Sequence, residues 1–174
     1  MIDSHAPQYL PLDGRGGRVT IDYPHHEIHA GNHYIFSYSK ALSAGSVMAV
    51  AITTPTSSVG HLHFVAGLQA SLSGTFVFAQ NASLSGGSAL TAWNNDRSSS
   101  NTSGSVIVGT PTVTTYGTAI SSVVIGSNDN PTAVGGFAES RNEFILATSS
   151  TYILYFTANA TSTFTSLNGS FYVD

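Results

Sequence analysis

The chain has 174 residues and no cysteine, with 41% apolar but only 8% charged residues and a formal net charge of −4. That length buries a core without disulfide staples, and the missing thiols exclude thiolate metal sites and cysteine nucleophiles. The fixed cations are Arg15, Arg18, Lys40, Arg97 and Arg141, too few and too scattered to make a phosphate-neutralising stripe, so no nucleic-acid partner is expected.

A typical soluble domain is about a quarter charged; here Ser, Thr, Asn and Gly supply the polar surface instead. Short hydroxyl and amide side chains lose less rotamer entropy when a partner covers them than Lys or Glu would, and they carry no ionic desolvation cost. The composition therefore suits burial against another protein.

At the N-terminus, Met1 to Gly17 contains Pro7, Pro11, Gly14, Gly16 and Gly17. It has no periodic apolar pattern, no basic n-region and no apolar h-region, so it reads as an extended arm over residues 1–18 rather than an export signal. A single domain over residues 19–174 is expected to follow. Its longest strongly apolar run, Val47 to Ile52, is far shorter than the roughly 20 residues of a membrane helix, and no membrane partner is expected.

Helix signals are nearly absent, because Glu, Lys and Arg are scarce and no i, i+3, i+4, i+7 apolar stripe stands out. Strand signals recur. β-Branched and aromatic runs punctuated by Gly, Asn, Pro or Ser predict strands at Val19 to Tyr23, His33 to Ser39, Ser46 to Thr53, His61 to Ala66, Thr75 to Ala79 and Ser105 to Val108. The same pattern continues at Ala119 to Ile125, Glu143 to Ala147, Tyr152 to Thr157, Thr163 to Leu167 and Ser170 to Val173. Tyr34, Phe36 and Tyr38 alternate onto one face, as do Phe76 and Phe78, so each strand has a core side. Asn168-Gly169 is a dipeptide that accepts positive φ at both centres, and it predicts a tight hairpin between the last two strands. Ser- and Asn-rich segments at Asn94 to Gly104 and Ser127 to Gly136 read as loops. With no fixed-period repeat, the fold expected is all-β, an antiparallel β-sandwich of jelly-roll-like form.

The densest polar cluster is His25-His26-Glu27-Ile28-His29, with His33, His61 and His63 beyond it. If extended, it would put His25, Glu27 and His29 on one face as three metal ligands. Ala30 stands where the helical zinc-protease motif needs its second histidine, and His61-Leu62-His63 lacks the nearby Glu of a cupin site. The cluster is therefore expected to be structural. No Gly-x-Ser-x-Gly elbow is present, and Glu139 and Glu143 fit solvated strand ends as well as an acid–base pair. No catalytic, cofactor-binding or metal residue is assigned, and no enzyme activity is expected. Trp93-Asn94-Asn95-Asp96-Arg97 sets an aromatic ring beside amides and a carboxylate, the mixture that stacks on and hydrogen-bonds a sugar, or that anchors a loop. Four Asn-x-Ser/Thr matches, at Asn81, Asn101, Asn159 and Asn168, are what chance gives when these residues are so frequent.

Tyr23-Pro24-His25-His26-Glu27-Ile28-His29-Ala30-Gly31-Asn32-His33, Ile52-Thr53-Thr54-Pro55, Asn94-Asn95-Asp96-Arg97-Ser98, and Glu143-Phe144-Ile145-Leu146 leading into Tyr152-Ile153-Leu154-Tyr155-Phe156-Thr157 together resemble a group of tailed-bacteriophage virion proteins, the head decoration or cement proteins. The resemblance covers most of the chain. It implies a jelly-roll or sandwich subunit, made in the host cytoplasm, that sits on the capsid surface as a small homo-oligomer and clamps neighbouring copies of the major capsid protein. It brings no catalytic residues, and it makes the N-terminal arm an inter-subunit strap. Two other classes stay open: a carbohydrate-binding module of a phage tail or fibre, which would show Trp93 exposed in a groove, and a cupin-like metalloenzyme, which would bring His25, His29, His61 or His63 to one point.

Overall fold

The computed structural model describes residues 22–56, 61–126, 143–160 and 163–173. The arm expected at residues 1–18, the loop expected at Ser127 to Gly136, and Glu139 lie outside the described residues. One short helix, α1 (Tyr23–His29), precedes strands β1 (His33–Leu42), β2 (Val47–Thr53), β3 (Leu62–Ala70), β4 (Gly74–Gln80), β5 (Ser83–Ser85), β6 (Ser88–Leu90) and β7 (Trp93–Asn94). There follow β8 (Val106–Gly109), β9 (Thr112–Thr115), β10 (Thr118–Ile125), β11 (Phe144–Leu146), β12 (Thr151–Ala158) and β13 (Thr163–Val173).

Two antiparallel sheets form the sandwich. One is five-stranded in the order β11-β3-β13-β1-β7, the other six-stranded in the order β10-β4-β12-β2-β8-β6, and β5-β9 is a separate two-stranded ribbon. Alternation decides which side chains meet between them. Tyr34, Phe36, Phe64, Leu68, Leu167 and Phe171 point inward from the five-stranded sheet, and Met48, Val50, Ile52, Phe76, Phe78, Leu154 and Phe156 from the six-stranded one, all in one cluster. Phe64 and Phe78 meet across the layers with ring centroids 5.6 Å apart, and Phe78 meets Phe144 at 5.0 Å. That last contact puts the edge strand β11 on the same side of the sandwich as β10, the strand next to β4. At the other side Tyr38 reaches over β8 and β6, near Gly109 and Leu90.

Two expectations fail here. The first is the hairpin at Asn168-Gly169, for β13 runs unbroken through both residues, pairing with β1 and β3 along its length. Gly169 is small for a packing reason. It lies opposite Phe36, and a Cβ there would sit 2.2 Å from the Phe36 ring, so the glycine is the slot into which the ring fits. The second concerns only the end of the strand expected at Val19 to Tyr23: residues 19–21 lie outside the described residues, and Tyr23 opens α1. Pro24 sits in the first turn, where its missing N–H costs nothing. Gly31, at φ +73°, closes the other end, its N–H bonded to the Ile28 carbonyl and the Asn32 N–H to the Glu27 carbonyl, the paired bonds of a Schellman cap.

Candidate binding face

The outward side of the five-stranded sheet is ordered in cross-strand rows. In the first, His33 faces Tyr172, Tyr172 faces His63, and His63 faces Ile145. Two residues along, Trp93 faces Ile35, Ile35 faces Ser170, and Ser170 faces Val65. Two further, Ser37 faces Asn168, which faces Gly67. The second and third rows line a groove of ≈ 430 Å3 with Ile35 and Val65 in its floor and Trp93 at one end. Trp93 is 52% exposed.

The indole is held from behind. Its neighbour Asn94 is buried, donating from Nδ2 to the Gly31 carbonyl at 2.7 Å and accepting the Asp96 N–H at Oδ1 at 2.9 Å. The Arg97 guanidinium lies 4.8 Å from the Trp93 ring centroid, a cation–π contact, and reaches the Asn94 carbonyl at 3.4 Å. Asp96 accepts from both the hydroxyl and the backbone N–H of Ser98, at 2.6 and 2.9 Å, and these bonds hold its carboxyl below the usual carboxylate range. The segment expected to be a loop is thus a tied turn that presents one aromatic ring.

The first row is a stacked polar ladder. His63 lies parallel to Tyr172 with centroids 4.5 Å apart, and His33 stacks at 6.1 Å on the same ring. Glu143 Oε1 accepts from Tyr172 and pairs with His63 Nδ1 at 2.6 Å. The Asn95 amide nitrogen donates to His33 Nδ1 at 2.7 Å, so the His33 ring proton is on Nε2, aimed at Ser170 Oγ 3.1 Å away. Burial pushes the His33 pKa down, with Glu27 partly opposing it.

Helix α1 redistributes the histidine cluster. His25, Glu27 and His29 do not share a face, since a helix aligns residues i and i+4 instead. His25 and His29 are exposed with their Nε2 atoms 3.0 Å apart. Glu27 is buried, bonded to Asn32 Nδ2 at 3.2 Å and to His26 Nδ1 at 3.1 Å. His61 and His63 are neighbours at one end of β3, with centroids 6.5 Å apart. Among the described residues no three His, Asp or Glu side chains are grouped as a metal ion would need. Of the residues singled out from sequence, Trp93 lies on the groove; Ile35, Ser37, Val65, Asn168 and Ser170 were not anticipated. Ile35 carried a signal, as an apolar side chain on the side of β1 opposite Tyr34, Phe36 and Tyr38.

No family model matches the chain, and no curated protein or solved structure matches it.

Proposed function

We propose that this chain is a structural virion subunit, a decoration or cement protein that binds and stabilises the major capsid protein lattice of a tailed phage as a homo-oligomer with a jelly-roll-like body. The observation that carries the reading is the placement of exposed apolar side chains on both lateral edges of a nearly uncharged sandwich. Ile145 on β11 and Val124 on β10, the latter 72% exposed, stand at one side, and Val106 on β8 at the other. Among the described residues the only fixed cations are Lys40 and Arg97, and the only carboxylates Asp22, Glu27, Asp96 and Glu143. A bridging subunit needs two contact surfaces. Each can be weak, because attachment at several points multiplies into persistence, and contacts of apolar and hydroxyl groups carry no ionic desolvation cost.

The test is reconstitution. Added to heads that lack it, the chain is expected to co-sediment with them and to raise the temperature at which they release DNA, since whatever binds only the closed shell stabilises it. Replacing Ile145 and Val124 together by Asp should lower occupancy while the far-UV circular dichroism stays β-rich, and removing residues 1–17 should do the same. An intact chain that neither binds heads nor shifts their release temperature refutes the proposal.

A further inference from the structure

The row Trp93–Ile35–Ser170–Val65 crosses four strands, about 14 Å at the usual strand spacing of ~4.8 Å. The parallel row ends at Gly67, which has no side chain, so the two rows make a trough. Its ≈ 430 Å3 falls among small-molecule clefts. Along the trough an aromatic plate and an aliphatic floor alternate with the neutral hydrogen-bonding groups of Ser37, Asn168 and Ser170. A pyranose has the complementary surface, an apolar C–H face bounded by hydroxyls that both donate and accept, as Ser and Asn side chains do. An acyl chain would leave the Ser37 hydroxyl and the Asn168 amide without partners, Ser170 being already bonded to His33. No cation lines the trough itself to favour an anion; Arg97 lines an adjoining recess that shares Trp93 and Ile35 with it.

We infer that this face binds a short neutral oligosaccharide, with Trp93 as the stacking plate and Ser37, Asn168 and Ser170 reading hydroxyls. The site is partly organised before any ligand arrives, since buried Asn94 anchors the backbone beside Trp93 and Arg97 lies against the indole, which limits the entropy lost on binding. It does not depend on the chain's attachment to a shell.

Trp93 is the single tryptophan of the chain, so indole emission reports this site alone. The full chain is titrated with cellotriose, maltotriose and chitotriose, and with sialyllactose as an acidic probe, following emission on the protein and saturation-transfer NMR on the sugar. At least one neutral trisaccharide is expected to shift the emission with a Kd of about 1 mM or tighter. Asn168→Ala should weaken it about fivefold, Trp93→Phe should retain part of it, and Trp93→Ala should remove the saturation transfer, with circular dichroism unchanged in each. Head occupancy should be unaltered by Trp93→Ala. The inference is overturned if no neutral trisaccharide responds at about ten times that concentration, if sialyllactose alone binds, if Trp93→Ala binds sugar as before, or if that variant loses attachment to heads.

Discussion

On the six-stranded sheet, Ala49, Val77, Ala79 and Ile153 point away from the central core and are nevertheless buried, because Val113 of β9 and Ala82 beside β5 lie over them, with Tyr116 packed on Tyr155 at 4.2 Å. On the five-stranded sheet, Ile35, Ser37 and Asn168 stand at outward positions and stay exposed. The chain lays the β5-β9 ribbon over one outer face and, beyond the His33–Tyr172 row where Tyr23 packs, leaves much of the other to solvent. Ala, Val and Ile stand where the ribbon closes, whereas the open face mixes Ser, Asn and Gly with histidine, aromatic and aliphatic side chains. On the open face the exposed Trp93 and Ile35 sit side by side, and Ile145 and Phe164 are exposed elsewhere on it.

The same substitution on the two faces should give the widest contrast. Ile153→Asp places a carboxylate where the side chain has no exposure, and the expected outcome is loss of the cooperative unfolding transition, a cost of roughly 4 kcal/mol or more. Ile35→Asp should cost less than about 1 kcal/mol in the same denaturant titration. Equal losses would mean that the outer faces do not differ as described. Next in size is Gly169→Ala, whose methyl must displace the Phe36 ring; about 1–3 kcal/mol should be lost, and a companion Phe36→Leu should recover part of it. A milder probe of the covered face is Val113→Ala, expected to cost about 1 kcal/mol and to speed amide exchange in β5 and β9 while leaving β1 and β13 protected.

The smallest effect comes from His33, at the margin of the open face. Its folded pKa lies below the ordinary value of 6.5, so the unfolded chain takes up the proton first. The stability from the neutral ring is complete above pH 6.5 and is lost as pH falls through the folded value. Thermal melts between pH 7.5 and 5 should show this decline, and His33→Gln should flatten it.

Much of the sandwich was legible because period-2 alternation is a tertiary signal written locally: in β1 and β4 most of the large side chains are the inward ones. What failed was punctuation with two meanings. Asn168-Gly169 has the form of a turn, yet the glycine answers to Phe36, a residue far away in sequence. Conversely Pro24 and Gly31 bracket α1 correctly, but seven residues are too few for a helical apolar stripe, and the histidines between them suggested an extended metal site. Strands β5, β6, β7 and β9 are only two to four residues long and left no trace. Trp93 could be named as a candidate from its neighbours, whereas Ile35, Val65 and Ser170 come together only through register, which rests on β13 being continuous.

That continuity has a kinetic side. β13 is the middle strand of its sheet, flanked by β1 and β3, and it is also the last of the described strands to leave the ribosome. Until residue 173 has emerged, β1 and β3 have no central partner, and their edges stay available to wrong neighbours. Every pairing in that sheet closes a long loop, so folding should be slow and dependent on β13. A nascent chain stalled before Thr163 should be protease-sensitive throughout, and one in which Val173 has cleared the ribosome should become resistant in a single step.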